Sequence, residues 1–348
     1  MPTFRGAVRR GLAAAGLQTV RAADAEAARL HGRIDELKQR NQKLRTKVEG
    51  LQGDRNRTTA VPAIPGLDRL ELRREQVLAG VKPDALILEI GPAHNAILPK
   101  RDGYDVRIVD YLDREGLVQR YAGFSQYDPD DIEEVDYVFR PGTPWSDVIP
   151  ERFDLVVASH VIEHTTSMID FINECEKLLD PEGVLALVIP DHRYCFDRFR
   201  ERASLSRVID ASLYPSSVHT MGAVIEERLN AAKHGGITAW GPRHKGDYTF
   251  AHGLEAVKAS GQEAQRGERY IDTHNWVCTP NHLRLLLQDL ADLDLISMRE
   301  TSFHDTVKHE FFINLSPSGE GTGLTREELV VLADDERRVL DQAVFEKM

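Results

Sequence analysis

The chain has 348 residues, of which 41% are hydrophobic and 29% charged, with a formal net charge of −12. This composition excludes a wholly disordered chain and a collagen-like fibre, and no apolar run approaches the roughly 20 residues of a membrane-spanning helix. Three scattered cysteines (Cys175, Cys195 and Cys278) make neither a disulfide framework nor a Cys-x-x-Cys metal site, which points to a cytoplasmic protein with reduced thiols.

Charge is unevenly spread. Residues 1–57 carry a net of +7 and the rest a net of −19, so a basic arm (1–57) precedes an acidic body. No long apolar stretch follows Arg5, Arg9 and Arg10, so the start does not read as a signal peptide. Within the arm, 23–52 reads as a coiled coil. Leu30, Leu37, Leu44 and Leu51 fall at d, and Ile34, Asn41 and Val48 at a. Leu at d, β-branched residues at a and one buried Asn are what a parallel two-stranded coil prefers. Arg33, Arg40 and Lys47 at g face Lys38 and Arg45 at e, which is repulsive in a homodimer. Three partners therefore stand open for the arm: a second copy tolerating the repulsion, an acidic coiled-coil partner, or an anionic membrane surface touched peripherally. A single amphipathic helix lying on the body is the competing reading. Residues 53–66, with Pro62, Pro65 and Gly66, read as a linker, so 58–84 holds linker and a leading helix at 67–79.

From there helices and short apolar strands alternate. Strands are predicted at 85–90, 106–109, 137–139, 153–158 and 184–189, with a helix over 165–179 closed by Asp180, Pro181 and Gly183. This alternation implies a doubly wound parallel sheet over 85–190. Residues 191–279 break the rhythm and read as an insertion with its own helices, covering the carboxyl edge of the sheet. A helix at 280–290 and strands at 294–299 and 310–315 complete the core through 316. In 317–348, Thr325 and Glu328 form a capping box for a last helix.

The most informative stretch is Leu88-Glu89-Ile90-Gly91-Pro92-Ala93-His94-Asn95, an apolar strand ending in an acid and a glycine turn. The second strand ends at Asp110, 21 residues after Glu89. Nucleoside binding at the carboxyl ends of the first two strands needs this chemistry, because a carboxylate accepts from ribose hydroxyls and glycine admits close backbone approach. The pyrophosphate fingerprint Gly-x-Gly-x-x-Gly fails here, since Ala93 and His94 follow Gly91, and there is no phosphate loop. A ligand with ribose, adenine and a positive group but no phosphate fits better.

These segments resemble class I S-adenosylmethionine-dependent methyltransferases of the type-11 kind. The resemblance rests on Leu88 to Ala93, on Val109-Asp110-Tyr111, on the run from Phe153 to His164, and on Leu178-Leu179-Asp180-Pro181-Glu182-Gly183 before the fifth strand. It implies a Rossmann-like, seven-stranded sheet whose last strand is antiparallel. It also implies S-adenosylmethionine held by Glu89, Gly91, Pro92, Ala93, Asp110, Tyr111, Ser159 and His160. The family's Glu-x-Gly-x-Gly-x-Gly is reduced to Glu89, Gly91, Ala93 and Asn95. Arg140-Pro141-Gly142 stands where an adenine-recognising acid is expected, with Asp136 as the alternative. The stretch Pro190-Asp191-His192-Arg193-Tyr194-Cys195-Phe196-Asp197 resembles methyltransferases of surface-polysaccharide and glycan biosynthesis.

His160-Val161-Ile162-Glu163-His164 also spells the inverted zinc-peptidase motif. That reading needs a helix, whereas a buried strand precedes the segment, so the methyltransferase explains the same letters better. Methyl transfer to an alcohol needs alignment and a base. Candidates for the base are His160, the Asp191/His192 pair, and His274 approaching from the insertion. Asp191 with a neighbour is a candidate holder of a divalent metal. The insertion's histidines with Trp240, Tyr248, Phe250 and Trp276 suit a sugar acceptor. The expected activity is O-methylation of a glycan or glycosylated small molecule. Two alternatives stand beside it: a non-catalytic assembly protein of the same fold, and an N- or C-methyltransferase of a lipid or quinone-like substrate. No nucleic-acid partner is expected of an acidic body.

Overall fold

A computed structural model describes residues 69–123, 128–139, 143–241 and 248–345, with side chains to 338. The coiled-coil and linker expectations, and Arg140 to Gly142, lie outside the described residues.

Strands rich in buried aliphatic residues form the sheet: β1 (Ile87–Ile90), β2 (Val106–Asp110), β3 (Tyr137–Val138), β4 (Phe153–Ser159) and β5 (Leu179–Pro190). After a three-stranded excursion of β6 (Ala232–His234), β7 (Ile237–Thr238) and β8 (Tyr248–Phe250), the chain returns with β9 (Arg299–Val307) and β10 (Glu310–Ser316). The main sheet has the order β3-β2-β1-β4-β5-β10-β9. Its first five strands are mutually parallel, and β10 runs antiparallel between β5 and β9. The expected doubly wound sheet with an antiparallel last strand is therefore present.

Alternation along each strand sends side chains to two cores. Val156 and Ala158 of β4 join Leu88, Ile90, Leu187 and Phe311 on one face, whereas Leu155 and Val157 join Ile87, Val106, Val188 and Phe312 on the other. The first face is covered by α3 (Met168–Leu178), capped by Ser167, and by α7 (Pro280–Asp292), which opens on proline at its first turn. The leading helix α1 (Arg69–Val77) places Val77 in the second core, and α2 (Arg114–Tyr121) follows β2.

Two boundaries differ from the sequence reading. The strand expected at 294–299 begins only at Arg299; Asp294 turns the chain at φ +57° after α7. The fifth strand starts early, at Leu179, because Asp180 to Gly183 continue alongside β4 as an irregularity instead of ending the helix in a loop. Gly183 fits there because a Cβ would lie 2.8 Å from the Phe153 carbonyl oxygen.

Residues 191–279 carry α4 (Leu205–Leu213), α5 (Met221–Asn230) and α6 (Leu254–Arg266) with the small sheet β7-β6-β8. The last helix is α8 (Arg326–Phe345), opened by the reciprocal Thr325–Glu328 box that the sequence predicts. Among the described residues no helix is long and apolar enough to cross a membrane.

Candidate active site

Strand order reverses between β1 and β4, and in open α/β sheets ligands bind outside the carboxyl ends of the strands at such a point. The turn after β1 and the turn after β4 are neighbours there. Gly91 sits at φ +60°, its N–H donates to the Val109 carbonyl, and a Cβ on it would come within 3.8 Å of Val161.

Glu89 does something other than expected. Its carboxylate is 1% exposed and accepts from the Ile97 N–H (2.7 Å) and the Leu98 N–H (3.2 Å). Burial lifts its pKa to about 7 against the pull of those two amides. Glu89 therefore anchors the loop 91–98, and in this structure its oxygens are not presented to a ribose. The alternation of β1 explains this: Glu89 points to the same face as Ile87, where the loop folds back through Ile97 and Leu98.

Asp110, at the tip of β2, is the carboxylate that suits a diol. Its Oδ1 accepts from the Tyr111 N–H at 2.7 Å. Burial pushes its pKa to about 6, opposed by the amides of Tyr111, Leu112 and Ala93. An anionic acceptor whose described partners are backbone amides suits the neutral hydroxyls of a ribose. Tyr111 beside it is largely exposed. Pro92 begins the loop, accepting from the Asn95 N–H.

Ala93 adopts φ +46°, the left-handed conformation that the family's glycine would take without strain. Ala93→Gly is expected to raise stability by about 0.5–1 kcal/mol, the relief of strain exceeding the added entropy of the unfolded chain. A thermal unfolding midpoint raised by roughly 2 °C, with cofactor affinity retained, is the expected readout; a lowered midpoint contradicts it.

After β4, Ser159 accepts a hydrogen bond from Arg73. His160 stands at φ +55°, a second strained non-glycine residue on the strand next to Gly91; such strain clusters at functional sites. Its Nε2 lies 3.1 Å from Glu310 and its Nδ1 3.5 Å from Glu163. Burial raises the Glu310 pKa, but His160, Arg73 and Arg69 outweigh it and hold Glu310 well below the usual carboxylate range. The His160 ring lies 6.0 Å from Trp240 and 6.2 Å from His309. His160 is thus braced by a buried anion on β10 and faces an aromatic side chain of the insertion.

The Asp191/His192 pair is corrected. Asp191 is fully buried, forked by the Arg193 guanidinium at 2.6–3.1 Å, and accepts from Thr306. This ion pair and the Arg193 N–H at 2.9 Å occupy its oxygens, leaving no role as base or metal holder. His192 is buried with Nε2 against the Asp197 carbonyl, and burial lowers its pKa to about 4. The turn after β5 cannot point both groups at the cleft, because the chain bends there to seat Asp191 as the cap of Arg193.

His274 does reach the edge of β4 from the insertion, but as part of a buried network. Its Nδ1 pairs with Asp197 Oδ2 at 2.5 Å, and its ring packs on Phe196 and edge-on to His164. Asp197 also takes Arg200 Nη1 at 2.7 Å. Asn275 N–H donates to the Glu163 carbonyl at 2.6 Å, stitching the insertion to the turn after β4. Sequence reasoning missed Glu163, His164, Asp197, Asp272, Arg73 and Glu310. The Glu163-His164 pair within the His-x-x-Glu-His spelling is the one signal for them in the sequence. Glu310 and Arg73 gave none, since only the sheet order brings β10 to His160.

Residues 67–297 match the family model of the methyltransferase domain. The chain belongs to the methyltransferase domain family. Among solved structures, the methyltransferase is similar to the CcbJ methyltransferase from Streptomyces caelestis (13% identity, 72% of this chain and 96% of that one, TM-score 0.37). It is also similar to a SAM-dependent methyltransferase from Aquifex aeolicus (13%, 71% and 93%, TM-score 0.32). A third is the glycopeptide N-methyltransferase MtfA complexed with sinefungin (12%, 72% and 94%, TM-score 0.35). No curated protein matches. The cofactor of the methyltransferase is S-adenosylmethionine, and the residues present fit it. Gly91 admits close backbone approach at the switch point, and Asp110 offers the carboxylate a ribose requires.

Proposed function

We propose that the methyltransferase transfers a methyl group to a hydroxyl of a glycan or glycosylated small molecule. The observation that carries this reading is His160, strained at the edge of β4 and braced by Glu310, beside the aromatic face of Trp240. Bound S-adenosylmethionine supplies an electrophilic methyl on a sulfonium. Gly91 and the loop that Glu89 anchors line its entry, and Asp110 takes the ribose. An acceptor hydroxyl placed beside that methyl would give up its proton to His160. With Nε2–H donated to Glu310, Nδ1 carries the lone pair that receives it, and Glu310 stabilises the imidazolium. Trp240 and Phe196, 5.4 Å apart and edge-to-face, give a sugar ring an apolar wall.

The test is transfer of labelled methyl to a panel of sugars and glycosides, with lipid and quinone-like acceptors as comparison. His160→Gln is expected to lower kcat by roughly 100-fold or more while leaving S-adenosylmethionine affinity unchanged. Unaltered kcat removes His160 as base; transfer only to nitrogen or carbon of the comparison acceptors removes the O-methyl reading. A second reading, an assembly protein that keeps the fold without turnover, draws on Ala93 standing at φ +46° where the family has glycine. Cofactor binding with no transfer to any acceptor favours it.

A further inference from the structure

Glu163 is 1% exposed, and neither carboxylate oxygen has a hydrogen-bond partner among the described residues. A buried carboxylate without a hydrogen bond carries a desolvation cost that a bound cation would offset. Two imidazoles stand with it: the ligand atoms of Glu163, His164 and His274 all lie within 4.8 Å of one another. Each imidazole has its other face fixed by an acid. His164 Nδ1 pairs with Asp272 at 2.8 Å, and His274 Nδ1 with Asp197 at 2.5 Å. Metal-binding histidines characteristically hand their second nitrogen to a carboxylate in this way, which sets ring orientation and raises ligand basicity. Two residues come from the turn after β4 and one from the insertion, held in register by the Asn275 N–H on the Glu163 carbonyl.

We infer that Glu163, His164 and His274 form a binding site for a divalent first-row transition ion. Two imidazoles and one carboxylate suit Zn²⁺, Co²⁺, Mn²⁺ or Fe²⁺ over Mg²⁺ or Ca²⁺. Two ligands about 2.1 Å from one ion are at most about 4.2 Å apart, so small side-chain rotations close the site. A second cluster, His160 with His309 and Glu310, is less suited, because Arg69 and Arg73 already neutralise Glu310 and repel a dication. The Glu163 site lies beside the proposed base, with His160 Nδ1 3.5 Å from Glu163. Resting on the O-methyl reading, an ion held by these three residues would supply Lewis acidity beside the acceptor's hydroxyl and ease loss of its proton to His160.

The experiment uses the full chain without a histidine tag, stripped by chelator and then titrated with Co²⁺ while visible absorption is recorded. One equivalent of Co²⁺, displaced by Zn²⁺, is expected. Glu163→Gln is expected to weaken uptake at least 100-fold. Asp272→Asn, which keeps the size of a largely exposed side chain, is expected to weaken it 10–100-fold with the unfolding midpoint recorded alongside. His309→Gln is expected to leave uptake unchanged. No cobalt uptake, or uptake lost in His309→Gln and kept in Asp272→Asn, overturns the site. S-adenosylmethionine is titrated into the same metal-free sample. Cofactor binding without cobalt uptake overturns the metal and spares the methyltransferase; cobalt uptake with no methyl transfer to hydroxyls upholds the metal and removes its assigned role.

Discussion

Asp110→Asn is expected to weaken S-adenosylmethionine binding by roughly 100-fold. Hydrogen bonds to a charged group contribute about 1.5–3 kcal/mol each, and about 1.4 kcal/mol is tenfold in affinity. The amide keeps the size of the side chain but cannot accept from a ribose diol with two anionic oxygens. The wild-type protein carries a pH signature of the same contact. Burial raises the Asp110 pKa to about 6, so the carboxylate is protonated as pH falls from about 7 to 5. Cofactor affinity is expected to fall across that window. Stability changes in the opposite sense: an acid whose folded pKa lies above its unfolded value binds more protons when folded, so its penalty is present above pH 6 and relieved as pH falls towards 4. Glu89, raised to about 7, titrates nearby, but its oxygens face the Ile97 and Leu98 amides. Asp110→Asn removes the Asp110 component and leaves any slope due to Glu89. Calorimetry at several pH values separates them; an affinity in Asp110→Asn equal to wild type removes Asp110 from the site.

Asp197→Ala is expected to destabilise the fold by about 3–5 kcal/mol, because removing one partner of a buried ion pair strands the others. Asp197, Arg200 and His274 are all nearly sequestered, at 1%, 4% and 6% exposure. Burial raises the Asp197 pKa, yet His274 and Arg200 outweigh it and hold the carboxyl well below the ordinary range. Without Asp197, Arg200 keeps only the His274 carbonyl at 2.6 Å and a Glu226 contact at 3.6 Å, while its Nε and Nη2 lack hydrogen-bond partners among the described residues. The melting midpoint is expected to drop by roughly 10 °C, and His164 loses the ordered ring that packs against it. A midpoint within a degree or two of wild type contradicts this account of how the insertion is fixed to β4.

The architecture was legible because its signals are local. Alternating apolar runs, the glycine turn at Gly91 and the acid at Asp110 each reside within one strand and its exit, and β1, β2 and β4 appear within a residue or two of their expected places. The last strands were less clear: Asp294 to Met298 is apolar enough to mimic a strand, but the helix before it ends in a left-handed turn that consumes those residues. Side-chain roles were harder still. Glu89 resembles a ligand carboxylate in sequence and becomes a loop anchor because eight residues later the chain returns two amides to it. Asp191 resembles a base until Arg193, two residues on, forks it. The partners of His160, His164 and His274 lie 150, 108 and 77 residues away, distances at which spacing in the sequence carries no information about contact.

Calorimetric titration of S-adenosylmethionine into the purified full chain, repeated with S-adenosylhomocysteine, tests most directly whether the cleft between β1 and β4 is a cofactor site. The structure predicts one site of micromolar affinity for each, greatly weakened by Asp110→Asn. No binding to protein that melts cooperatively would contradict it.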